Sequence, residues 1–201
     1  MHRLRHLAAT VLIALSGTAS AEPASPSHWV ASWQASPQAV WGADFLFPTL
    51  IPPALQDQTF RQTARISLGG PRLRVRLSNA HGQKPLRVGA ASVASAAGSA
   101  PLALQFDGQP SVLIAPGQER LSDPLALPTR ALQAVQVSLY LPAATPLHSF
   151  HWDGRQTSWI APGDQSRATA LHGAEPTTAR LVLTGIDVEA RPPGKKVKRL
   201  S

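Results

Sequence analysis

The chain has no cysteine in its 201 residues. That excludes disulfides, thiol nucleophiles, thiolate metal sites and redox switching together. A domain of this length buries enough apolar surface to fold without such staples. Tyrosine occurs once, against five tryptophans, so aromatic recognition would fall to the indoles, whose faces can stack on sugar rings or acyl chains. Long apolar runs are missing beyond Leu7–Leu15, which falls short of the roughly 20 residues of a membrane span, and no transmembrane segment is expected. A sustained helical period is missing as well: 19 prolines and 14 glycines punctuate the chain, and no segment reads as an amphipathic helix. Internal repeats are absent.

One-signed charge is also scarce in the body. The formal net charge is +8, but Arg3 and Arg5 lie at one end and Arg191, Lys195, Lys196, Lys198 and Arg199 at the other. Residues 22–190 hold twelve basic and eleven acidic side chains. Such a near-neutral body lacks the field with which proteins grip nucleic acid. The basic end reads as a disordered tail over 191–201.

The first residues carry the three parts of a secretion signal: basic Arg3 and Arg5, the apolar run, and Ala19-Ser20-Ala21 as a small-residue cleavage pattern. Removal of 1–21 and a secreted or periplasmic location are therefore expected. Over 22–190 the dominant signal is a period of two. Leu73, Val75 and Leu77 alternate with Arg72, Arg74 and Arg76, and Val135, Val137, Leu139 and Leu141 alternate with Gln136, Ser138 and Tyr140. Both read as half-buried strands. Thr59–Leu68 reads as a strand before the Gly69-Gly70-Pro71 turn. Asn79-Ala80-His81-Gly82 predicts a turn with Asn79 in a left-handed backbone, and Leu86–Val93 a strand returning beside the arginines. Asp107-Gly108 predicts a hairpin turn, and Ala115-Pro116-Gly117-Gln118 another turn. Arg180–Val188 reads as a last strand, bulged at Gly185. Many short strands between turns predict an all-β chain, an antiparallel sandwich of jelly-roll type.

Several fragments in order carry a resemblance. They are Trp29-Val30-Ala31-Ser32-Trp33, Thr59-Phe60-Arg61-Gln62, Leu73–Ala80 with Pro85-Leu86, Ser122-Asp123-Pro124, Val137–Pro142, His151-Trp152-Asp153 and Leu183–Val188. Together they resemble the N-terminal β-domain of secreted two-domain SGNH/GDSL hydrolases, which include esterases and lipases. The resemblance implies a domain that packs against a catalytic domain and shapes access for an ester substrate. It also implies that the parent activity is serine-dependent and needs no metal or other cofactor. In that family a Gly-Asp-Ser motif follows the last strand; residues 191–201 do not contain it. A truncated or frameshifted reading, inactive alone, is thus expected, as is self-association through the face left without its partner. An independent glycan- or surface-binding module, and an esterase with an unrecognised site, are the alternatives.

The candidate site residues follow from this. Gly163-Asp164-Gln165-Ser166 comes nearest to a nucleophile motif, but its serine is one residue late and no apolar strand precedes it, so it reads as a turn. His148, His151 and Asp153 form an H-x-x-H-x-D cluster; on a strand the two histidines would face apart, and local backbone bonding is the expected role. Trp29 and Trp33 are expected to seal a sandwich edge. Trp152 and Trp159 are the candidates for an exposed platform, and with His151 and Asp153 make up the predicted ligand or interdomain contact. The arginine row is expected to be the solvated side of its strand, with anionic glycans or a partner's carboxylates as its other targets.

Overall fold

A computed structural model describes residues 28–190, apart from Ala43, Pro48 and Leu50. The expected leader at 1–21 and the basic tail at 191–201 lie outside the described residues. The fold is all-β: the described residues contain strands, turns and no helix, and every strand pairing is antiparallel. Two larger sheets make a β-sandwich.

The first sheet is built around the arginine strand, Arg72–Ser78. On one side it pairs with Leu183–Ala190, which in turn pairs with the edge strand His28–Gln34; on the other it pairs with Glu119–Leu121 and Leu125–Ala126. The predicted alternation is obeyed residue by residue. Leu73, Val75 and Leu77 are fully buried, while Arg72, Arg74 and Arg76 lie on the outer face. Ile186 and Val188 point inward beside them, so Asp187 and Glu189 lie on the arginine side.

The second sheet has Gln58–Arg65 and Ala134–Leu141 at its centre, flanked by Ala90–Ala94 with Leu102–Ala103 on one side and Ser158–Pro162 with Glu175–Thr177 on the other. Its inner face supplies Phe60, Ala64, Val135, Val137, Leu139, Leu141 and Val93, and the core lies between the sheets. Burial of this kind stabilises by roughly 25 cal/mol per Å² of apolar surface, so it outweighs any single polar contact described below.

Two turn expectations hold. Asp107 and Gly108 have φ of 52° and 74°, and Phe106 and Gln109 exchange backbone hydrogen bonds of 2.8 and 3.0 Å around them. The carboxylate of Asp123 accepts from both turn amides. Gly117, at φ 73°, closes the bond from Gln118 N to Ala115 O. The bulge near Gly185 is present too, as a register shift between Leu183 and Gly185.

Two other expectations fail. The strand read at Leu86–Val93 is two strands, Leu86–Val88 and Ala90–Ala94, and neither pairs with the arginine strand. Leu86–Val88 pairs with Val112–Ile114, and Ala90–Ala94 joins the opposite sheet. The break falls at Gly89, where a Cβ would sit 3.1 Å from Pro142 and Tyr140 side-chain atoms. The turn at Asn79-Ala80-His81-Gly82 forms, closed by a 3.0 Å bond from Gly82 N to Asn79 O, but Asn79 is not among the residues with positive φ. Its buried amide instead donates to Lys84 O and Ile114 O, both at 2.9 Å, which steers the chain away from a hairpin.

Candidate functional site

Polar side chains of the central strand Gln58–Arg65 organise the adjoining surface loop. On its outer face, Thr59 Oγ1 donates to Gly163 O and accepts from Gln165 N. Arg61, 5% exposed, donates to Ser138 Oγ and to the carbonyls of Gln165, Ala168 and Thr169. Burial lowers the pKa of its guanidinium. These contacts strap the 163–169 loop onto the sheet. Ser166 lies inside that strap, 0% exposed, and its hydroxyl donates to Asp164 Oδ1 at 2.7 Å. It is held as the turn residue expected from its context, its hydroxyl bonded to a carboxylate two residues away within the same turn and not to a histidine.

Trp159 projects from the same outer face at 39% exposure. It lines an open groove of about 460 Å³ with Arg61, Gln136, Thr169 and Leu171. Trp159 is thus an exposed indole beside a polar floor, as the sequence reading requires of a platform.

Trp152 is placed differently. It packs within an aromatic cluster, with ring centroids 5.2 Å from Trp41 and 6.1 Å from Phe47. Trp41 also meets Phe45 at 3.7 Å and Phe150 edge-on at 5.2 Å. The outermost members of this region are Phe45, Leu46 and Phe47, exposed by 41%, 90% and 58%. Pro48, Pro52 and Pro53 mark this stretch as a loop and carry no sign of a surface cluster. The run Phe45-Leu46-Phe47 in a loop was itself the available signal.

His151 and Asp153 do not form a shared site with His148. The Nδ1 atom of His151 lies 3.1 Å from Ser36 O, and its backbone bridges Arg180. Asp153 is exposed, has φ of 51°, and accepts from Arg155 N. Among the described residues, no group of three or more His, Asp or Glu is placed to hold a metal ion.

The arginine row is internally answered. Arg72 makes a bidentate pair with Glu189 at 2.6 Å for both bonds, and Arg74 Nε donates to Asp187 Oδ2 at 3.0 Å. Arg76 lies 3.5 Å from Asp187 and 3.6 Å from Glu119. Trp29 covers part of the row, with the guanidiniums of Arg74 and Arg72 at 4.5 and 5.7 Å from its ring centroid. The Arg72 hydrogen bond holds the Glu189 carboxyl below its usual range, with the nearby charge acting in the same direction. The row is neither an open anion surface nor a simple solvated face, because the facing strand supplies carboxylates in register.

Arg180 has a different setting. It is 4% exposed; its Nη2 donates to Gln156 Oε1 at 2.9 Å, and its guanidinium lies 5.1 Å from the Trp33 ring centroid. Gly154 packs on it so closely that a Cβ there would fall 2.7 Å from Arg180 Nε. The signal in the sequence was one arginine inside the apolar run Ala179–Leu183.

No protein-family model and no curated protein matches the chain.

Proposed function

We propose that this chain is a non-catalytic β-sandwich accessory domain of a secreted or periplasmic SGNH/GDSL-type ester hydrolase, docking the hydrolase domain through its aromatic loop. The observation that carries this reading is the cluster of Phe45, Leu46 and Phe47 on the outside of the Trp41–Trp152 stack. Contiguous exposed aromatic and aliphatic side chains are the usual mark of a surface made to be covered. The motif order supports the family, and the role found for Ser166 supports a scaffold rather than a nucleophile.

The test mixes the purified chain with an SGNH hydrolase domain, preferably any encoded in a neighbouring reading frame. Co-elution at micromolar concentration is expected, weakened at least tenfold in the Leu46→Ser/Phe47→Ser double variant. Absence of co-elution at tens of micromolar would sink the proposal. Turnover of p-nitrophenyl acetate by the chain alone, abolished by Ser166→Ala, would instead establish the esterase reading.

A second reading, a carbohydrate-binding module, is favoured by the Trp159 groove. Glycan binding lost in Trp159→Ala and kept in the loop double variant would select it.

A further inference from the structure

Arginine is almost never fully buried unless it is paired. Among the described residues Arg180 has no carboxylate partner, and its Nη1 is covered from solvent with no hydrogen-bond acceptor. It forms part of the wall of an open cleft of about 330 Å³ at the sandwich edge, shared with Trp33, Gln34, Arg65, Arg155 and Gln156. Neither Arg65 nor Arg155 belongs to an ion pair among the described residues. His151 adds an imidazole to the wall, and no acidic residue lines the cleft.

The surrounding backbone is unusual. Asp153, Arg155 and Val182 have φ of 51°, 52° and 64°. A β-branched residue rarely adopts such a value. Leu183 N donates to Leu181 O at 2.5 Å across Val182, a three-residue turn of the strained kind. Gln62, 0% exposed, clamps this turn: its side chain donates to Leu181 O and accepts from Leu181 N. The fold thus fixes strained backbone on either side of an uncompensated cation, an arrangement that proteins concentrate at ligand sites.

We propose that this cleft binds a small carboxylate-bearing ligand the size of one sugar ring, an acidic monosaccharide unit. Three arginines line the cleft and focus a positive potential; Arg180 contributes buried charge, and the exposed guanidiniums of Arg65 and Arg155 supply the planar donors that match a carboxylate, with Arg65 Nε already donating to Leu132 O. The cleft volume lies at the lower end of small-ligand sites. Its other walls, an indole and two primary amides, suit the apolar face and hydroxyls of a sugar ring. Burial lowers the Arg180 pKa, as expected of a charge short of counter-ions. The site is separate from the Trp159 groove and does not depend on the hydrolase reading.

The experiment is calorimetric titration of the full chain at low salt with glucuronate, and with glucose, acetate and inorganic phosphate as comparisons. Saturable glucuronate binding is expected, at least tenfold tighter than glucose, acetate or phosphate. It should weaken at least tenfold in Arg180→Met and, because a buried substitution can disturb folding, also in Arg155→Gln at an exposed position. It should also weaken as salt is raised. No saturable glucuronate heat, equal binding of glucose, tighter binding of phosphate, or undiminished binding in Arg155→Gln would each overturn the proposal.

Discussion

The two groups of arginines in this sandwich meet opposite electrostatic circumstances. On the outer face of the first sheet, Arg72, Arg74 and Arg76 are answered by Glu189, Asp187 and Glu119. At the sandwich edge Arg180 is more deeply buried, yet among the described residues its guanidinium has only a glutamine carbonyl and an indole face. Burial alone would predict the reverse, since desolvation raises the cost of an unpaired charge. The contrast separates arginines whose work is done within the fold from one whose pairing is left incomplete.

That contrast can be broken by removing charge from each side. The largest effect belongs to Asp187→Ala. Asp187 is 4% exposed and shared by two arginines, and its loss leaves their like charges facing each other. Urea unfolding should show a loss of about 2 kcal/mol, below the full value for a deeply buried pair because the arginines are partly solvated. Arg180→Met removes a cation instead of a counter-ion while keeping an apolar stem. Stability should stay within about 1 kcal/mol of the parent or rise. A loss as large as that of Asp187→Ala would mean that Arg180 is a structural cation after all.

The smallest effect is a pH dependence confined to the outer row. The folded state holds the Glu189 carboxyl below its usual value through Arg72. Its contribution is therefore present above the unfolded carboxylate value, about 4.3, and is lost as pH falls through the lower folded value. Between pH 7 and pH 3 the thermal midpoint of the parent should drop more steeply than that of Glu189→Gln. Parallel curves would show that the pair adds nothing, as holds for many exposed pairs.

The alternation at Arg72–Leu77 and Val135–Leu141, the Asp107-Gly108 turn and the Gly185 bulge were legible because each depends on neighbours one or two residues away. Trp159, beside polar Gln156 and Asp164 in the sequence, is exposed. The destination of Leu86–Val93 was not legible, because Asn79 is tied to Ile114, 35 residues on. Nor was the placement of Trp152, which depends on aromatic residues of a distant loop. Within the fragments that carry the resemblance, Arg61 straps a loop, Gln62 clamps a turn, and Ser32 exchanges bonds with Leu68.

Strand period, turn positions and the division of residues between inner and outer faces follow from local sequence, since a pleated chain alternates its side chains whatever surrounds it. Which arginines would find acids was decided only in three dimensions. Arg72 meets Glu189 across 117 positions and Arg74 meets Asp187 across 113, whereas Arg180 meets no acid among the described residues. Electrostatic pairing follows distance in space and the local dielectric, and sheet register sets both.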